Sequence, residues 1–249
     1  MRTHYEVVNL IESSDWATES ERSRVVSKFF SGENLAAIIL QNKYNFGERR
    51  VLDIGCSYGQ SLLYWGESSI GVDVSEQMAG LPKALGYEVY LTNIEDRLYP
   101  EEWKADFDGA FSDNLIEHLV SPHLFLVRIN RILNDDGLLV LGHPTVPFTS
   151  LAKNIWRCYN GFDGYLAGEH INFYTPETIS LTLKRAGFKV IDQWQPLPRK
   201  LNSLRKLVGP FSTHCYTVAK KIKNWQYSSK RISSFDPSIY EEELKEFHS

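Results

Sequence analysis

The sequence predicts an α/β domain built on a mostly parallel, doubly wound sheet. Two observations carry this: from Arg50 onward short apolar runs of strand length alternate with helix-patterned segments, and a glycine-bearing turn follows the first run. A third sets the scale. A chain of 249 residues, 43% hydrophobic and 23% charged, suffices for one substantial domain with a cap and is not the composition of a disordered chain. The reading divides the chain into a helical cap over 1–48, a ligand-binding domain over 49–221 with an insert at 148–175, and a C-terminal extension over 222–249.

The elements follow in order. Residues 1 to about 48 read as polar helices, with Leu35, Ile38, Ile39 and Leu40 apolar near their end and Asn45-Phe46-Gly47 as the stop. Val51-Leu52-Asp53-Ile54 is the first strand, followed by the glycine turn and a short helix through Leu62, Leu63 and Trp65. The second strand is Ile70-Gly71-Val72-Asp73-Val74, then a helix over 77–85, a third strand over 88–91 and a fourth over 107–112. Ser121 is placed to cap the next helix with Pro122 in its first position. Phe125, Ile129, Ile132 and Leu133 line one face, and Gly137 is read as its stop before a fifth strand over 138–142. Thr175-Pro176-Glu177 opens a last core helix, with Ile179, Leu183 and Ala186 facing inward and Gly187 ending it. Val190-Ile191 and Tyr216-Thr217-Val218-Ala219 close the sheet, and a peripheral helix is expected over 237–247.

Composition excludes several classes of function. No window approaches the roughly 18 apolar residues of a membrane span, and the start, MRTHYEVVNLIESSDW, lacks a signal-peptide core. Cys56, Cys158 and Cys215 are an odd, widely spaced set without CxxC, which argues against a disulfide framework or zinc knuckle and for a cytoplasmic location. The net charge of −4 argues against a nucleic-acid partner. Yet nine of the 27 basic residues fall between Asp192 and Asp236, where no acid occurs, so the segment from Arg199 to Arg231 is expected to face an anion.

In an open α/β sheet, ligands bind beyond the carboxyl ends of the strands where strand order reverses. Three strand ends carry suitable chemistry. Asp53-Ile54-Gly55-Cys56-Ser57-Tyr58-Gly59 bends tightly and lets the backbone approach a ligand at Gly55 and Gly59. Asp73, eighteen residues after Gly55, can accept two hydrogen bonds from a ribose diol. Asn93-Ile94 sets an amide beside an aliphatic side chain, suited to an adenine edge and face. A nicotinamide dinucleotide enzyme is the nearest rival, but its G-x-G-x-x-G would need glycine where Ser57 and Gln60 stand.

Over roughly residues 48–221 this arrangement resembles the class I S-adenosylmethionine-dependent methyltransferases. The resemblance implies a Rossmann-like sheet of about seven strands with the last, around 215–220, antiparallel, and S-adenosylmethionine as cofactor, with S-adenosylhomocysteine as product. It places Asp53, Gly55 and Gly59 at the amino-acid end of the cofactor, with Cys56 inside that turn. It also places Asp73 at the ribose with Val74 beside it, Asn93 and Ile94 at the adenine, and Asn114 at the methionine moiety.

The related ubiquinone-type O-methyltransferases carry an E-x-x-E-H run that can bind a divalent metal. Here Asn114 stands where the first Glu would be, so no metal is expected.

The acceptor side rests on the histidines near strand ends. A hydroxyl acceptor needs its proton removed, and His170 is chosen narrowly over His143, while His118 is read as opening the next helix. The aromatic insert is similar to the lid of a broad bacterial methyltransferase group that ends it in a Glu-His-x-x-Phe/Tyr-[TS]-Pro-Glu run, several of whose members modify sugars. Glu169, Tyr174 and Trp156 are therefore expected to contact the acceptor. The expected reaction is methylation of a hydroxyl on a small polar acceptor, a sugar or sugar-containing metabolite, with a phosphorylated or nucleotide-linked form left open. RNA or protein methylation and a non-catalytic cofactor-binding subunit stand as alternatives, and a homodimer is left open. Base N-methylation lacks its N-P-P-Y motif where Asp113-Asn114-Leu115-Ile116 stands.

Overall fold

A computed structural model describes residues 18–30, 34–95, 100–145, 170–195 and 214–226, together with Asn9 and Ser13. Two helices, α1 (Glu19–Phe30) and α2 (Leu35–Tyr44), precede the sheet. Then come β1 (Val51–Ile54), β2 (Ile70–Asp73), α3 (Glu76–Ala84), β3 (Glu88–Leu91) and β4 (Phe107–Asp113). They are followed by α4 (Pro122–Ile132), β5 (Leu133–Pro144), α5 (Pro176–Arg185), β6 (Phe188–Trp194) and β7 (His214–Lys221).

The seven strands lie in the order β3-β2-β1-β4-β5-β7-β6. β1 to β5 pair in parallel, and β7 runs antiparallel between β5 and β6. The chain winds outward from β1 to β3 and then crosses to β4, so the order reverses between β1 and β4. Their carboxyl ends, at Ile54 and Asp113, flank the crevice that this topology creates.

Alternate side chains build two cores, as the period of two along a strand requires. Leu52, Ala110 and Leu139 pack with Phe125 and Ile129 of α4 and Ile179 and Leu183 of α5. Val51, Phe111 and Val140 pack on the other face with Ala36, Ala37 and Leu40 of α2 and with Trp65. The N-terminal helix α2 is thus one of the sheet's covering layers. Lys43 and Tyr44 at its end fasten it to β6, both bonding Asp192 Oδ2, at 2.6 and 2.9 Å.

Several elements differ from the sequence expectation, each for a local reason. The helix expected through Leu62, Leu63 and Trp65 is a single 3-10 turn, Leu62–Tyr64. Ser121 makes no side-chain cap on α4; its backbone N–H goes instead to Glu95 Oε1 at 2.7 Å. Gly137 does not stop α4, which ends at Ile132. It lies inside β5, where the pairing shifts from Phe107↔Leu133 to Gly109↔Leu138 and residues 134–137 bulge out. His118 closes a 3-10 turn, Ile116–His118, and does not open α4. α5 matches closely: Thr175 and Thr178 form a reciprocal capping box, and Ile179, Leu183 and Ala186 are fully buried. The expected helix over 237–247 lies outside the described residues.

Candidate active site

The turn after β1 is left-handed at three places: Gly55 has φ +70°, Ser57 φ +50° and Gly59 φ +77°. This conformation turns the chain back over the sheet edge, and the N–H groups of Gly55 and Cys56 both donate to the Val72 carbonyl of β2, at 2.8 and 3.0 Å. A side chain at Gly55 would meet only Leu115 at ordinary contact distance, so the glycine is demanded by backbone conformation more than by crowding. The Cys56 thiol points into the core, against the space that a Cβ on Gly71 would fill, and burial pushes its pKa far up. The Cys56 backbone serves the turn, the N–H donating to Val72 and the carbonyl accepting the Gly59 N–H at 2.8 Å.

Asp73 ends β2 and locks this turn. One carboxylate oxygen accepts the Ser57 N–H and the other the Ser75 N–H, each at 2.8 Å, and the side chain is 8% exposed. Each oxygen keeps a second lone pair for a ligand. Around it stand apolar side chains left in solvent: Val74 beside it, Leu91 opposite it in register on β3, and Met78 on α3. Asn93 is exposed and accepts the Glu95 N–H at 3.1 Å, whereas the Ile94 side chain is buried in the core. Leu91 and Met78 were not singled out from sequence. The signal available was their apolar character next to an acidic strand end.

Asp53, by contrast, is sealed. It is 2% exposed and, among the described residues, takes one hydrogen bond, from Trp65 Nε1 at 3.0 Å. Burial, reinforced by the nearby charges of Asp113 and Asp73, pushes its pKa up to about 7. A buried carboxyl with so little compensation favours a cation next to it.

At the end of β4 the backbone carries two distinct clusters. Asp113 accepts from Tyr216 Oη at 2.8 Å and bonds His214 Nε2 at 3.0 Å. Gly142 lies opposite in register, and a Cβ there would overlap Asp113 Oδ1, so its absence makes room for the carboxylate. Asn114 follows in the left-handed region, φ +53°, donating its N–H to the Gly142 carbonyl.

The second cluster is Glu117, His118 and His170, whose ligand-capable atoms all lie within 4.8 Å of one another. Asn172 builds it: its side-chain amide donates to the Leu119 carbonyl at 2.6 Å, while the N–H groups of Ile171 and Asn172 both donate to the Glu117 carbonyl at 2.9 Å. The segment that carries His170 is thereby clamped onto the 116–119 turn. Glu117 is 1% exposed, and neither of its carboxylate oxygens has a hydrogen-bond partner among the described residues. Burial raises its pKa. The sequence reading, which weighed the histidines one at a time, missed this cluster because Glu117 and His170 are distant along the chain.

The other acceptor-side expectations fall apart spatially. His143 has no exposure; its Nδ1 pairs with the Pro144 carbonyl at 2.9 Å, and burial pushes its pKa down to about 4. Tyr174 is core: its ring packs edge-on against His143 at 5.7 Å, and burial pushes its pKa up to about 12. Its backbone makes an isolated parallel bridge with Thr145, the residue after β5. Glu169 and Trp156 lie outside the described residues, as do Arg199, Lys200 and most of the basic segment. Of that segment's described lysines, Lys220 pairs with Asp136 at 2.7 Å and Lys223 with Asp135 at 3.1 Å, so these brace the β5 bulge.

A doubly wound sheet whose switch point holds a left-handed glycine turn locked to an acidic strand end belongs to the class of α/β folds that bind nucleoside-bearing ligands at that crevice. Comparison with known proteins narrows the class. The chain matches the family model described as "Methyltransferase domain" over residues 15–193. A ubiquinone biosynthesis O-methyltransferase of Maricaulis maris is 30% identical over 111 residues, 41% of this chain and 42% of its own length. An (S)-coclaurine N-methyltransferase of Papaver somniferum is 32% identical over 101 residues, 37% of this chain and 29% of its own. The chain thus spans less than half the length of these two curated relatives. An S-adenosylmethionine-dependent methyltransferase structure from Archaeoglobus fulgidus superposes with a TM-score of 0.57 at 19% identity, covering 80% of this chain and 99% of that one. The 1,6-didemethyltoxoflavin-N1-methyltransferase of Burkholderia thailandensis, solved with S-adenosylhomocysteine, gives 0.58 at 18% identity over 90% and 92%. The chain belongs to the methyltransferase domain family and has the fold of the class I S-adenosylmethionine-dependent methyltransferases.

Proposed function

We propose that the protein transfers a methyl group from S-adenosylmethionine to a hydroxyl of a small polar acceptor, a sugar or sugar-containing metabolite. The observation that carries the cofactor half is the Asp73 carboxylate, bonded to the glycine turn at Ser57 and rimmed by Val74, Leu91 and Met78. Its remaining lone pairs suit a ribose diol and the exposed aliphatic surfaces an adenine face. Asp53 fits the ammonium of the cofactor's amino-acid end, because a cation offsets the cost of ionising a carboxyl in that dry position. Asn114, held left-handed at the β4 end, lies on the other side of the switch point, where the methionine moiety belongs.

When bound, the cofactor supplies an electrophilic methyl on a sulfonium; the protein contributes position and proton handling. We place the acceptor hydroxyl beside the Glu117–His118–His170 cluster, whose polar groups ease the loss of its proton. His143, sealed under Tyr174 and bonded to its own neighbour's carbonyl, is a poor candidate for that task and serves the β5 end as packing. The polar cluster supports a hydroxyl acceptor more than an apolar one, while the curated relatives include both O- and N-methyltransferases. The test is release of S-adenosylhomocysteine with a panel of free sugars, sugar phosphates, nucleotide sugars, amines and RNA. Turnover with hydroxyl acceptors supports the reading; turnover confined to amines or RNA overturns it.

A further inference from the structure

The Glu117 carboxylate is the least explained group among the described residues. It is 1% exposed, both oxygens lack a hydrogen-bond partner among those residues, and it faces two imidazoles. Buried polar atoms are nearly always paired, and an orphaned one calls for an occupant. His118 Nε2 lies 3.9 Å from Glu117 Oε1, and the His118 and His170 rings meet edge to face with centroids 4.7 Å apart. Two ligands on one ion at about 2.1 Å each span at most about 4.2 Å. The Glu117–His118 pair already lies within that span, and the widest separation, within 4.8 Å, needs only a small side-chain adjustment to close.

We infer that Glu117, His118 and His170 bind one divalent transition-metal ion of the zinc class, leaving at least one coordination position open to the acceptor. The donor set decides the class. Two imidazoles and one carboxylate suit Zn²⁺, Co²⁺ or Fe²⁺, whereas Mg²⁺ and Ca²⁺ prefer oxygen ligands. Three protein ligands leave the open position that a purely structural four-ligand site lacks. The support around the ligands is built in as well. Asn172 and the paired N–H groups of residues 171 and 172 fix the His170 segment against the Glu117 carbonyl, as outer groups around metal ligands do. The expectation of no metal rested on Asn114 replacing a carboxylate in a contiguous run. The third ligand comes instead from His170, near the end of the 148–175 segment and far along the chain.

This inference takes from the proposed function only the location of the acceptor, and its test needs neither cofactor nor acceptor. Tag-free, chelator-treated protein is titrated with Zn²⁺ by calorimetry and with Co²⁺ by visible absorption, alongside Mg²⁺. One equivalent of Zn²⁺ should bind, Co²⁺ should give an absorption band that Zn²⁺ displaces, and Mg²⁺ should not compete. Glu117→Gln and His170→Ala should each weaken Zn²⁺ at least tenfold. Asn172→Ala, which keeps all three ligands, should weaken it about 10–100-fold. Circular dichroism checks that the variants fold; should His170→Ala fail that check, the near-isosteric Glu117→Gln and His170→Gln decide. No stoichiometric Zn²⁺ binding, unchanged binding in the folded ligand variants, or equal competition by Mg²⁺ overturns the inference. Intact S-adenosylhomocysteine binding alongside any of these would leave the methyltransferase reading standing.

Discussion

Asp53 and Asp73 end neighbouring strands, yet their surroundings give them different work. Asp73 receives two backbone N–H groups, while among the described residues Asp53 has only the Trp65 indole and the repulsion of two other acids. With its folded pKa raised from 3.8 to about 7, Asp53 keeps a proton in the folded state that the unfolded chain has already lost. Stability without ligand should therefore fall as pH rises from about 4 to 7 and level off above, by a few kcal/mol at most. Asp53→Asn should flatten that profile in urea melts, and an unchanged slope would assign it to another group. If the cofactor's ammonium meets Asp53, binding should release a proton and weaken as pH falls below about 7. Calorimetry of S-adenosylhomocysteine in buffers of different ionisation enthalpy reads this directly. The acids themselves were legible in the sequence, because strand-end position and spacing mark them. Their exposure was not, since whether a carboxyl is sealed depends on Trp65 and Phe111 packing from elsewhere in the chain.

At the scale of elements, local chemistry set what could be read in advance. α5 carries its start signal in three consecutive residues, and the helix begins where they suggest, its first turn closed by a capping box with Thr178 that they do not announce. Thr175→Ala should cost about 0.5–2 kcal/mol, lowering the midpoint of thermal unfolding without changing cofactor affinity. A loss of cofactor affinity beyond the stability loss would mean that this helix start also shapes the site. The β5 bulge was misread because Gly137 after an apolar run is an ordinary helix stop, and only the partner strand reveals the shift in register. Glu117 and His118 stood in sequence at the end of an E-x-x-E-H-like run, but the arrival of His170 beside them was illegible for the same reason. It depends on Asn172 reaching the 116–119 carbonyls, a tertiary contact with no sequence signature.

Across the whole molecule, the N-terminal helix α2 packs into the core on one face of the sheet. Leu40 is fully buried in the core that also holds Trp65, the partner of Asp53. Leu40→Ala should cost about 2–5 kcal/mol, and because that core supports Asp53 it should also weaken S-adenosylhomocysteine binding. Stability loss with intact affinity would separate the two. The basic segment divides as well. Lys220 and Lys223 are engaged with Asp136 and Asp135, so the proposal that this segment faces an anionic acceptor falls on residues such as Arg199 and Lys200. Changing those two together to Ala should raise KM more than it lowers kcat, and unchanged kinetics would make that stretch a solvated face.

The central claim is that the carboxyl edge of β1 and β2 holds S-adenosylmethionine through Asp73, and calorimetry with S-adenosylhomocysteine tests it most directly. Wild-type protein should bind one equivalent. Asp73→Ala should lose about 1.5–3 kcal/mol of affinity, roughly 10- to 150-fold, as expected for hydrogen bonds to a charged group. Asp73→Asn, which keeps an acceptor for one of the two turn N–H groups, should fold normally and fall between them. Equal affinity in all three proteins would contradict the account and place the cofactor elsewhere.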